Sequence, residues 1–101
     1  MVIARGCTPV HSFIFPFAAS EIEVMYITYV QNGEPVLEKT KNDCTIGGGF
    51  AVVELTQEET LKFEESGRVE MQIRYRKTDG TVGKSNVMNA SPDKLLKGGV
   101  I

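Results

Sequence analysis

Cys7, His11 and Cys44 are the residues of this 101-residue chain best suited to metal binding or nucleophilic chemistry. Cys7 and His11 stand four residues apart, and Cys44 can reach them only through the fold. Three soft ligands fall one short of a closed structural zinc site. His11 also shares a face with Phe13 and Phe15 in an alternating run, so it reads as a core-edge histidine with one hydrogen bond. A Cys–His nucleophilic pair needs a third, orienting group and a pocket, and the sequence supplies neither. Glu21, Glu23, Glu54, Glu58, Glu59, Glu64 and Glu65 offer many carboxylates, but glycoside hydrolysis requires two of them at a controlled separation in a cleft. These fall at strand exits or on the exposed side of a short helix, where water surrounds them. Gly47-Gly48-Gly49 is followed by Phe50-Ala51-Val52, whereas a phosphate loop needs a Gly-Lys-Ser/Thr ending that opens a helix. The triplet therefore reads as a turn or a close backbone approach. No catalytic residue, metal or cofactor is expected, and the chain is not expected to be an enzyme.

One surface cluster stands out. Arg68, Arg74, Arg76 and Lys84, with Gln72 and Asn86 between them, line one exposed sheet face if the segment around them is a strand. Such a face suits an acidic partner surface or a polyanion. The competing reading is a solvated face with Glu70 as local counter-charge, since exposed ion pairs contribute little. No aromatic residue interleaves with these basic ones on that face, which argues against stacking on single-stranded nucleic acid. Phe13, Phe15, Phe17, Tyr26, Tyr29 and Tyr75 are the candidate aromatics for a sugar platform. In a chain with no Trp and one small core they read mainly as core.

Bulk properties bound the remaining classes. The length is that of one domain. The net charge of −2 supplies no sequence-independent attraction to nucleic acid or to anionic lipid. No apolar run approaches the roughly 20 residues of a membrane span. Met1–Gly6 has neither the charged nor the apolar region of a signal peptide. The expected compartment is the cytoplasm of the producing cell, with Cys7 and Cys44 as free thiols.

The elements that must position these residues are mainly strands. Val69–Lys77 alternates apolar and polar residues and runs into Thr78-Asp79-Gly80-Thr81, the pattern of a half-buried strand entering a hairpin. Two registers compete for that hairpin. A two-residue Asp79-Gly80 loop sets Met88 opposite Met71. A three-residue Thr78-Asp79-Gly80 loop, with Gly80 left-handed, sets Val87 there and places Gly83, Ser85 and Val87 inward. The three-residue loop is preferred, because the slip would turn Lys84 inward beside Tyr75. Glu21–Gln31 is apolar on both faces, with Ile22, Val24, Tyr26 and Val30 on one and Met25, Ile27 and Tyr29 on the other, as a central strand would be. Asn32-Gly33 turns it into Pro35–Thr40. Shorter strands are expected at Val2–Ala4, His11–Phe15, Cys44–Ile46 and Phe50–Leu55. Thr56-Gln57-Glu58-Glu59 is a capping box that opens a short helix near 57–64, with Leu61 as its foremost core contact and Phe63 close behind. Ser66-Gly67 stops this helix. Pro92 and Gly98-Gly99 argue against regular structure in the tail. About seven strands at this spacing predict an all-β, antiparallel, Ig-like β-sandwich over residues 1–90, with 91–101 as a C-terminal tail.

Arg5-Gly6-x-Thr8-Pro9-x-His11-x-Phe13-x-x-Pro16-Phe17, Tyr29-x-Gln31-Asn32-Gly33, Leu37-Glu38-Lys39, Asp43-Cys44 and Leu55-Thr56-Gln57-Glu58-Glu59-Thr60 follow one another in an order that resembles a family of small prophage-encoded proteins of Gram-positive bacteria. The resemblance spans Arg5 to about Tyr75, and Cys7 stands where the family pattern has Thr. Members tend to be encoded among phage tail genes. The pattern is distantly similar to the N-terminal β-sandwich domain of phage baseplate upper proteins, which docks that protein onto the baseplate. The resemblance brings no catalytic residues. It implies a virion or virion-assembly component and nothing finer. The function expected on that basis is a tail- or baseplate-associated structural protein that docks onto other phage structural proteins, alone or as a homo-oligomer, in the host cytoplasm or assembled into a virion. The rival expectation, from a different class, is a small ligand- or carbohydrate-binding module. The face carrying Arg68, Gln72, Arg74, Arg76 and Lys84 is the expected docking surface.

Overall fold

The computed structural model describes all residues, 1–101. Nine strands form: β1 Val2–Ile3, β2 Val10–Ile14, β3 Ile22–Gln31, β4 Glu34–Thr40, β5 Cys44–Gly47, β6 Phe50–Glu54, β7 Val69–Lys77, β8 Val82–Lys84 and β9 Met88–Pro92. One short helix, α1 Gln57–Thr60, lies between β6 and β7. The strands make two sheets, one ordered β1-β9-β7-β3-β4 with β8 also on β7, the other β2-β6-β5. All pairs are antiparallel except β1 with β9. The set β2-β6-β5 against β9-β7-β3-β4 reproduces the B-E-D and G-F-C-C′ orders of an immunoglobulin-like sandwich. The fold class read from the strand pattern is therefore the fold observed, with nine strands where about seven were expected. No helix is long and apolar enough to cross a membrane.

β3 is central because it pairs β4 on one side and β7 on the other along its length. Its faces differ from those expected. A bulge between Ile22 and Val24 inserts one residue, so Ile22 turns to the same inner face as Met25, Ile27 and Tyr29, all fully buried. Val24, Tyr26, Thr28 and Val30 then point outward. Asn32 at φ 55° and Gly33 at φ 75° give the hairpin to β4 two positive φ angles in succession, the backbone a type I′ turn demands.

The β7–β8 hairpin uses the preferred register near its turn. Tyr75 faces Gly83 and Arg76 faces Val82, leaving Thr78-Asp79-Gly80 as the loop with Gly80 at φ 90°. Farther on the other register prevails, because Met71 faces Met88 and not Val87. Ser85 makes the change. Its Oγ accepts from the Ile73 amide at 3.0 Å and donates to the Asn86 carbonyl, while its own amide donates to the Ile73 carbonyl. The side chain thus replaces one ladder partner, the chain advances by one residue, and Val87 is left 48% exposed where an inward position was expected.

The capping box at Thr56 and Glu59 forms as read. The helix ends at Thr60, short of 64, because Lys62 and Phe63 donate to carbonyls three residues back and Phe63 drops into the core at 1% exposure. Phe63 and Thr60, and not Leu61, are the core contacts. The Thr60 hydroxyl accepts from Gly6 and lies within hydrogen-bond distance of the Cys7 carbonyl, which ties the helix to the β1–β2 link. Gln31 spends its whole side-chain amide on the Glu64 and Gly67 backbone and so fixes the loop after the helix. Pro92 closes β9, two residues past the expected domain boundary. It sits beyond the β7–β9 ladder and pairs Ile3 at the sheet edge, where its missing N–H leaves no carbonyl of that ladder without a donor. In the tail only Leu95 turns inward, onto Gly6, while Leu96 and Ile101 stay exposed.

His11 on β2 and Tyr29 on β3 meet across the sandwich, with Nδ1 and the phenol oxygen 2.7 Å apart in a buried hydrogen bond. The His11 Nε2 has no partner. Removing one member of such a buried pair strands the other. Tyr29→Phe is expected to cost about 1–3 kcal/mol in urea unfolding, and Tyr29→Phe with His11→Leu together less than the sum of the two single changes. Ser85→Ala is expected to leave the Ile73 amide unpaired, at a cost of about 1–3 kcal/mol, with faster hydrogen exchange at that amide than at its neighbours on β7.

Candidate functional site

The outer face of the larger sheet is built by strand alternation. Inward Val69, Met71 and Ile73 alternate on β7 with outward Gln72, Arg74 and Arg76. Arg74 is flanked by Tyr26 on β3 and Lys84 on β8, and Arg76 by Val24 and Val82. Val24, Tyr26, Arg74, Arg76 and Val82 line a shallow hollow of about 190 Å³. Tyr26 is 43% exposed and Val82 57%, so the basic residues surround an accessible apolar floor.

Two sequence readings are corrected here. An aromatic residue does stand among the basic ones, because Tyr26, outward by alternation with Met25 and Ile27, pairs Arg74 across the β3–β7 ladder. The counter-charge is Glu23, 3.4 Å from Arg76, and not Glu70, which faces Val30 and Asn89 instead. Both members of the Glu23–Arg76 pair are half-exposed, so it contributes at most about 1 kcal/mol. Arg74 and Lys84 face each other across β7–β8 with no carboxylate within 4.0 Å of either. Like charges directly opposite destabilise a ladder, and the hollow therefore carries an unneutralised positive rim.

Of the five expected face residues, Arg74, Arg76 and Lys84 come together. Gln72 shares their face, but its amide is spent on the Ser85 carbonyl. Arg68 precedes β7, six residues or about 20 Å along the chain from Arg74, and has no part in the hollow. Alternation alone identified the arginines. Val24, Tyr26 and Val82 were missed because pairing between strands, which no local pattern shows, sets them beside the arginines.

A second concavity, of about 480 Å³, opens between the end of β2 with the following Pro16-Phe17 and the segment Lys84–Met88. It lies where the change of register interrupts pairing on β7. Phe15, Phe17 and Tyr75 cluster there, with Phe17 and Tyr75 ring centres 5.1 Å apart and the Lys77 ammonium 4.0 Å above the Phe17 ring. Tyr75 lies over Gly83, where a Cβ would meet its hydroxyl oxygen at 2.4 Å.

The soft ligands stay apart. His11 and Cys44 both pair Val53, from opposite sides of β6, which separates their strands by about 10 Å. Cys7 is exposed in the β1–β2 link, and neither cysteine is in a disulfide. No three His, Cys, Asp or Glu side chains gather into a cage. Burial pushes the Cys44 thiol above its ordinary value, with Asp43 adding to the shift. Burial likewise raises Tyr29 and lowers His11. Burial opposes ionisation of Glu59, yet the Lys39 ammonium and the Thr56 amide together hold its carboxyl below the ordinary value. That Lys39–Glu59 pair is only 12% and 18% exposed and ties α1 to β4.

Neither the models of known protein families nor the curated proteins match this sequence. Among solved structures the chain is similar to the V domain of amphioxus IgVJ-C2. The two are 10% identical over 90% of this chain and 97% of that one, with a TM-score of 0.34.

The lowered His11 pKa has a defined sign in stability. The unfolded chain binds a proton at this residue below about pH 6.5 and the folded chain resists it, so His11 contributes stability above that pH and loses it as pH falls through the window below. The thermal midpoint is expected to fall between pH 7 and pH 5, and His11→Leu to flatten that segment. The fall below about pH 4.5, where Glu59 and Asp43 protonate, is expected to survive the substitution.

Proposed function

We propose that this chain is a phage-derived structural protein, tail- or baseplate-associated, that works by protein–protein docking and performs no catalysis. The observation that carries the docking part is the outer face of the larger sheet. Arg74 and Lys84 oppose each other without a carboxylate, beside exposed Tyr26 and Val82. An apolar centre containing Tyr, with an Arg-rich rim, has the composition of a protein interface. A partner that places carboxylates at the rim would relieve the Arg74–Lys84 repulsion and gain rate and specificity from the complementary charge. The phage part rests on the ordered motifs from Arg5 to Tyr75 and their resemblance to prophage tail-region proteins. The proposed partners are accordingly other phage structural proteins. The proposed location is the bacterial cytoplasm during synthesis and the virion after assembly.

The test uses the purified chain as bait against the tail and baseplate proteins encoded beside it. Arg74→Glu with Arg76→Glu is expected to weaken capture at least about tenfold, and the wild-type complex to loosen as salt rises. Capture unchanged by the double substitution, at equal folded content by circular dichroism, would remove this face from the account.

The cleft beside Phe15, Phe17 and Tyr75 favours one second reading, a small ligand- or carbohydrate-binding module, because its volume falls in the range of ligand sites. Tyr75 lies in its wall, so tyrosine fluorescence titrated with simple glycans reads it directly. A flat response across the set would eliminate carbohydrate as the ligand.

A further inference from the structure

The edges of the two sheets are not equally protected. β4 carries Glu34, Pro35, Glu38 and Lys39 along its length. β1 has two residues, and β8 has three and ends in Lys84. β5 is four residues long, and the turns Ala19–Glu21 and Lys41–Asp43 pack against it. These are the ordinary defences of an edge strand: charge, proline, brevity or cover. β2, Val10-His11-Ser12-Phe13-Ile14, has none of them. It pairs only with β6, carries no charged residue, and holds Val10 and Ile14 at 56% and 87% exposure.

The hydrogen-bond phase of β2 shows which groups are free. The Phe15 amide donates to Gly49 and the Leu55 amide to Pro9, so odd-numbered residues bond toward β6. In an antiparallel ladder the intervening residues then turn both N–H and C=O to the opposite side. Val10, Ser12 and Ile14 therefore present a row of unpaired donors and acceptors. The cleft separates this edge at Ser12–Phe17 from the Lys84–Met88 segment, so no strand of this chain pairs it there.

We propose that β2 pairs with β2 of a second copy of this chain, antiparallel about a two-fold axis through Ser12, joining the two three-stranded sheets into one. The sequence of the edge selects that occupant. In this register Val10 of each copy faces Ile14 of the other, Ser12 faces Ser12, and each facing pair exchanges both of its ladder bonds. The outer side gains two apolar cross-strand contacts around a small polar centre, with no Asp, Glu, Lys or Arg on either facing strand. A two-fold contact requires a self-complementary surface, and Val-x-Ser-x-Ile is one when reversed upon itself. This surface is separate from the Arg74 face, so either can fail without the other.

The test is solution mass by light scattering over a wide concentration range, for the wild type, Ser12→Lys, Ser12→Glu and an equimolar mixture of the two variants. Ser12 is exposed, so neither substitution disturbs the core, and circular dichroism checks folding. The wild type is expected to dimerise. Each variant alone, which sets like charges face to face, is expected to associate at least about tenfold more weakly. The mixture is expected to regain a dimer of one copy of each. A monomeric wild type, a dimer indifferent to both substitutions, or a mixture no more associated than its components would each overturn the proposal.

Discussion

The two sheets of this sandwich share one buried polar contact, and much of the interior is arranged around it. His11 reaches from β2 in the smaller sheet to Tyr29 in the centre of the larger one. Tyr29 is fully buried, packs against Phe63 with ring centres 5.9 Å apart, and faces Met71 on β7. Many immunoglobulin sandwiches tie these layers with a disulfide that a Trp packs against. This chain has neither, since Cys7 and Cys44 are free and Trp is absent. A hydrogen bond between uncharged groups in a low-dielectric interior is directional and costly to leave unmade. It therefore sets the relative position of the layers, which burial of apolar area, being non-directional, does not. The unpartnered His11 Nε2 is the cost of that arrangement, and it resists protonation for the same reason, burial.

From that contact the loops are held by side chains that spend their polar groups on backbone. Gln31 secures the loop after α1, Thr60 secures the β1–β2 link, and Lys41 caps the start of β3 through the Ile22 carbonyl. Lys39 crosses from β4 to Glu59 on the helix. A four-residue helix has no stability of its own. It persists because its capping box, the buried Thr60 and this ion pair all act on it at once.

Departures from regular pairing make the surfaces. The β3 bulge turns Ile22 inward with Met25, while Val24 and Tyr26 stay outward beside Arg76 and Arg74 as the apolar centre of the basic face. The one-residue advance at Ser85 interrupts the ladder on β7 and opens the aromatic cleft beside β2. Regular sheet buries what it can, and the irregular residues determine what is left accessible.

Local patterns sufficed for the elements. Alternation in Val69–Lys77, Asn32-Gly33 with its two positive φ angles, and the Thr56–Glu59 capping box are each set by interactions within a few residues, and each formed where the pattern places it. The same alternation put Arg74, Arg76 and Lys84 on one face. What it did not carry was any outcome decided by competition between distant segments. Phe63 displaced Leu61 from the core because Tyr29 offers it a packing partner 34 residues away in sequence. Val87 lost its inward place to Met88 because Ser85 could substitute its hydroxyl for a backbone group. Tyr26 stands beside Arg74 because of the register in which β3 pairs β7, and Arg68 stands apart because β7 begins only after it. Strand and turn identity is a short-range property of this chain. Its register, its exposed aromatics and its unguarded edge belong to the packed sandwich, where burying one segment decides which neighbour stays in water.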